Sequence, residues 1–119
     1  MLLAKCIHGL FAEMFGELPP ESFIPSSMND HAEIRSLMED AGFSDISVET
    51  IAKQAVAQSA MDVALNAGKA GPVGWEIMKR NPGALQHFID ALFGELKKHF
   101  GDQPMIAPMQ AIVSQGWKR

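Results

Sequence analysis

The sequence predicts an α+β fold: an antiparallel pair of strands, at about 45–51 and 105–115, with four to five helices packed mostly on one side. Three observations lead there. Apolar residues recur at helical spacing in separate segments along the chain. Only two stretches read as strand, one through polar–apolar alternation and one through a nearly uncharged apolar run. Glycine and proline punctuate the junctions between them. With 119 residues, the chain has the length of one domain spanning 1–119, with a single real core.

In the first segment Leu3, Ile7, Leu10 and Met14 form one stripe of a helix over Leu2 to Phe15, widened by Phe11 and Phe15. Gly16 can take the left-handed cap, and Pro19-Pro20 keeps the helix from resuming. Residues 18–27 then read as an extended connector. The second helix is capped by Asn29 or Asp30, with Glu33 in capping-box position, and carries Ile34, Leu37, Met38 and Ala41 on one face. Gly42 ends it, and Phe43 is the apolar contact such an ending favours. Asp45-Ile46-Ser47-Val48-Glu49 alternates polar and apolar, so a half-buried strand follows.

Ser59 and Asp62 open a short helix that reaches about Ala67. Gly68, Gly71 and Gly74 read as helix breaks, and Pro72 suits the first turn of another short helix, 73–79. Asn81-Pro82 starts the longest helix, on which Leu85, Phe88, Ile89, Leu92, Leu96 and Phe100 share one sector. Gly101-Asp102 closes it after Lys97 and Lys98, cations well placed at a helix C-terminus. The run from Met105 to Gln115 is polar chiefly at Gln110 and Ser114. It reads as a second strand, covered on both faces for part of its length.

Composition narrows the function. A net charge of −4 and a pI near 5.5 argue against a grip on nucleic-acid phosphates. No apolar run approaches the roughly 20 residues that cross a bilayer. The apolar start is interrupted by Lys5 and is followed by no cleavage pattern, so a soluble, cytoplasmic domain with no membrane partner is expected. Cys6 is the one cysteine, which excludes an intrachain disulfide and a cysteine-based zinc site.

Residues able to do chemistry are scattered. His87 and Asp90 stand at i, i+3 but point away from the apolar sector, while Glu95 and His99 lie on another flank. The four cannot converge, so no metal site is expected. Asp30 beside His31 is better explained as a cap than as a general acid or base. Cys6 and His8 diverge on their helix, and Cys6 reads as core. Gly68, Gly71 and Gly74 follow a helix and lack the Gly-x-Gly-x-x-Gly spacing of a dinucleotide loop. No catalytic and no cofactor-binding residue is assigned. Eight methionines and seven phenylalanines, with no tyrosine, leave two readings open. One is an adaptable apolar pocket including Trp75 and Met78; the other is a plain core plus a partner surface.

At Leu37-Met38-Glu39-Asp40-Ala41-Gly42-Phe43 and Ser44-Asp45-Ile46-Ser47-Val48-Glu49 the chain resembles the C-terminal half of class I S-adenosylmethionine-dependent methyltransferases, the type 11 or ubiquinone-biosynthesis-like kind. The resemblance implies that 55–100 is a helical insert and that the run 104–116 is the closing strand of the family's seven-stranded sheet. It covers the chain from about residue 10 onward. The family's acidic residue and glycine-rich cofactor loop belong to the N-terminal half and have no counterpart here. The chain is therefore expected to be inactive alone and to bind no S-adenosylmethionine, unless a separate cofactor-binding half is supplied. Two functions are compatible with this: a substrate-region or interaction module derived from a methyltransferase, or a free-standing binder of a small apolar ligand.

The resemblance also implies that the second strand lacks one neighbour. With no charged residue between Pro104 and Gly116, that strand invites pairing with another chain. A twofold homodimer is expected, joined at Ala111, Ile112, Val113 and Ser114 or through the faces of the first and last helices.

Overall fold

The computed structural model describes residues 2–20, 22–23 and 27–119, so part of the expected 18–27 connector lies outside the described residues. The elements run α1 (Leu2–Phe15), α2 (His31–Asp40), β1 (Phe43–Ala57), α3 (Ala60–Lys69), α4 (Pro72–Arg80), α5 (Leu85–Phe100) and β2 (Met105–Lys118). A single 3-10 turn, Pro82–Ala84, replaces the first turn of the long helix expected from Pro82. β1 and β2 form a two-stranded sheet. The Ser44 hydroxyl at the start of β1 donates to the Trp117 carbonyl at the end of β2, as antiparallel strands require. The fold is α+β, as the sequence predicts.

The chain divides into two compact units. One comprises Met1–Ser22 and Gln54–Met109; the other comprises Phe23–Lys53 and Gln110–Arg119.

The first unit holds the larger core. α5 contributes Phe88, Ile89, Leu92 and Leu96, the sector read from its periodicity. Phe11, Ala64, Val73, Ile77 and Met105 close around them. Burying each large aliphatic or aromatic side chain is worth about 1.5–3 kcal/mol. Two side chains cap the start of α3: the Ser59 hydroxyl accepts from the Asp62 amide at 3.1 Å, and Asp102 accepts from the Ala60 amide at 2.8 Å.

Gly68 and Gly74 do not break helices. Gly68 lies inside α3 and Gly74 inside α4, both buried, and only Gly71 stands between the two helices as the N-cap of α4. A Cβ on Gly74 would lie 1.8 Å from the Gly68 carbonyl oxygen, and one on Gly68 would lie 2.6 Å from Ile89 Cγ1. Gly74 is there because backbone meets backbone and Gly68 because the Ile89 side chain fills the space beside it, reasons invisible to local spacing.

Arg80, at the end of α4, holds the opposite side of this unit. Its guanidinium donates to the carbonyls of Phe15, the last residue of α1, and of Glu17 just past it, at 3.0 and 2.9 Å, and to Glu76 at 2.8 Å. It also lies 5.2 Å from the Phe11 ring centre. One side chain thus satisfies carbonyls that the end of α1 leaves open.

In the second unit α2 covers one face of the paired strands. Asp30 caps α2 by accepting from the Ala32 amide at 2.9 Å. Arg35 donates to the Ile46 carbonyl at 2.9 Å, and the His31 ring lies 2.8 Å from Thr50 Oγ1. A Cβ on Gly116 would lie 3.0 Å from Met38, so this strand glycine lets the helix approach. Ile46, Val48, Ile112 and Gly116 are half-buried, while Ser47, Glu49 and Ile51 face outward.

Both strands differ from their expected form. β1 continues to Ala57, six residues past the expected end at about 51, because ladder hydrogen bonds to β2 do not require buried side chains. β2 extends to Lys118 and is not covered on both faces. Only Met105 and Ala107 are buried, whereas Ile106, Met109 and Val113 are exposed, since a sheet of two strands with one helical layer has one face to hide.

The glycine crossing is testable. Gly74→Ala should lower unfolding free energy in urea by about 3 kcal/mol, because the backbone of Gly68 must move. Gly94→Ala in α5, with nothing within 4 Å of the added Cβ, should raise it by about 0.5–1 kcal/mol. Equal effects at the two positions would contradict the close approach.

Candidate functional site

Trp75 and Met78 stand three residues apart on α4 and therefore share a face of that helix. They line a cavity of about 630 Å³ at the junction of α3 and α4. Leu85 and Pro72 add apolar wall, and Gly68 and Gly71 leave its floor free of side chains. Trp75 is 74% exposed and Met78 46% exposed. The pair is thus at the surface, not in the interior where a core pocket would have put it. Lys69 is the one charged residue of the lining.

A second cavity, of about 450 Å³, opens between α1 and α5 and brings together Lys5, Cys6, Glu13, Glu95 and His99. Sequence spacing could not join them, because Cys6 and Glu95 meet only through helix packing. His99 pairs with Glu95 at 3.3 Å. Burial, with help from the Glu95 charge, pushes the Cys6 thiol above its ordinary 9.0, which disfavours the nucleophilic thiolate. His8, on the same helix, is held below its ordinary 6.5 by burial. The neutral imidazole is the form that suits the fold, so His8 costs stability as pH falls below 6.5.

His87 and Asp90 are exposed, and Asp90 accepts instead from Gln86 at 3.0 Å. No group of three or more His, Cys, Asp or Glu side chains suited to a metal ion occurs among the described residues. No helix among them is long and apolar enough to cross a membrane.

The α3 start is where a strand runs directly into a helix, the place an anionic dinucleotide-type cofactor would use. Its amides do not fit that role. Ser59 and Asp102 already accept from them, and Asp62 adds a further carboxylate beside the same cavity, of about 570 Å³. An anionic group arriving there would meet occupied donors and negative charge.

On β2, Ala111, Val113 and Ser114 are exposed, with Val113 at 41%, and Ile112 is half-buried. No charged residue interrupts the strand before Lys118. Sequence reading found this stretch through its missing charges. Neither Lys69 nor Arg80 was singled out, since the role of each depends on residues brought beside it by folding.

No family model matches the chain, and no curated protein matches it.

The Cys6 environment has a measurable consequence. At pH 8 the thiol should react with Ellman's reagent more slowly than in the urea-unfolded chain, and Glu95→Gln should speed the folded reaction. Equal rates folded and unfolded would show that the thiol is unperturbed.

Proposed function

We propose that this chain is a methyltransferase-derived C-terminal domain, not catalytic by itself, that works as an interaction module through the open edge of β2. The observation that supports this reading is the character of that strand. It has one paired neighbour, no charged residue from Met105 to Trp117, and exposed Ile106, Met109, Val113 and Trp117. Proteins normally guard such an edge with charge, bulges or cover, because its free N–H and C=O groups are a template for another strand. Pro108 blunts only the first half. β1 by contrast carries Asp45, Glu49 and Lys53, which would oppose like charges across a twofold axis.

The occupant proposed for the edge is a second copy of the chain, its residues 111–114 antiparallel to their own symmetry mates. That arrangement makes a four-stranded sheet from two, past the size at which a two-stranded ribbon is marginal in water. A separate cofactor-binding half is the other partner the resemblance implies.

Sedimentation equilibrium at micromolar concentration should give twice the 13.0 kDa chain mass, and a monomer would refute the homodimer. Val113→Lys, at an exposed position, should return the monomer while leaving the circular dichroism unchanged. Isothermal titration of the chain with S-adenosylmethionine should show no binding. A 1:1 isotherm of micromolar affinity would overturn the non-catalytic reading.

A further inference from the structure

The cavity beside α4 has the size and chemistry of a ligand site that the strand-edge reading does not use. We propose that it binds a planar apolar anion of the aromatic carboxylate class, the ring against Trp75 and the carboxylate at Lys69. The inference gives a place and a ligand class to the apolar-binder alternative, and it does not depend on dimerisation.

Four observations carry it. The volume, about 630 Å³, falls within the roughly 300–1,000 Å³ typical of small-molecule sites. The wall is apolar and flat where it counts: Trp75 offers most of an indole to solvent, and Met78 stands one turn on with a thioether suited to an aromatic ring. The shape is preformed. Gly68 and Gly74 press backbone against backbone at the α3–α4 crossing, so the helices that frame the cavity cannot close on it. The charge is one-sided, because Lys69 is the single ionic group of the lining and makes no hydrogen bond or ion pair among the described residues. The nearby carboxylate of Glu76 is already taken by Lys79 and Arg80. An apolar cation would find no partner there, and a neutral hydrocarbon would leave the lysine unused.

The test uses 2-naphthoate as the probe and the full chain carrying Trp117→Phe, so that Trp75 is the only indole. Titration should quench Trp75 emission along a saturable 1:1 curve. Lys69→Glu should weaken naphthoate binding about tenfold and leave neutral 2-naphthylmethanol unchanged, since only the anion gains from the ammonium group. Ala70→Phe, at an exposed lining position, should fill the cavity and weaken both probes. Trp75→Ala, read through the naphthoate's own emission, provides a second route to the same loss if the phenylalanine disturbs the fold. Quenching that never saturates, or full affinity in either Ala70→Phe or Trp75→Ala, overturns the site. An equal response of both probes to Lys69→Glu overturns the assignment of an anion.

Discussion

Where α3 meets α4, the carbonyl of Gly68 occupies the space that any side chain on Gly74 would need. Much of the first unit follows from that contact. The same face of α3 places Gly68 against Ile89, so α5 can approach α3 with only a backbone between them. Ala60 and Ala64, the other buried residues of α3, keep that helix thin along its length. A helix without bulk on its inner face can lie close to a helix rich in it. Here α5 supplies Phe88, Ile89, Leu92 and Leu96 to fill the space. The small residues set the distance, and the large ones supply the apolar burial that stabilises it.

The crossing also accounts for the cavity. Glycines at 68 and 71 line a floor without side chains, and the following turn of α4 must aim Trp75 and Met78 outward, because Val73 and Ile77 take the inward positions. Arg80 then ties the far end of α4 to the end of α1 through two carbonyls and the Phe11 ring. α4 is therefore held at both ends, by close packing at one and by a charged fork at the other. A helix of nine residues has little reason to be ordered without those two attachments.

The smaller unit depends on a different balance. One helix, one buried residue in it (Ile34) and the pairing of β1 with β2 supply what cohesion it has. Its polar contacts, Arg35 to Ile46, Lys118 to Ala41 and Arg119 with Asp45, are exposed and individually worth little. Backbone pairing therefore carries most of the order there. That is consistent with β1 continuing through residues whose side chains are exposed on both faces. It is also why an apolar, uncharged β2 matters: a ribbon with this little cover leaves Val113 and Trp117 in water.

The sequence by itself determined what depends on near neighbours. Caps at Asp30 and Ser59, left-handed glycines at 16 and 42, the apolar sector of α5 and the alternation of Ile46 and Val48 all act within a few residues, and all were legible. Tertiary structure decided whatever needs a partner distant along the chain. Spacing alone presents Gly68 and Gly74 as helix breaks, because the Ile89 side chain and the facing carbonyl that require them come from other elements. Trp75 looks the same on a helical wheel whether its surroundings are core or solvent, and Arg80 shows nothing of the two carbonyls it reaches more than sixty positions earlier. Local geometry is set by torsions and caps that each residue carries with it. Contact, exposure and the emptiness of a cavity belong to pairs of elements, and they exist only once the chain has packed.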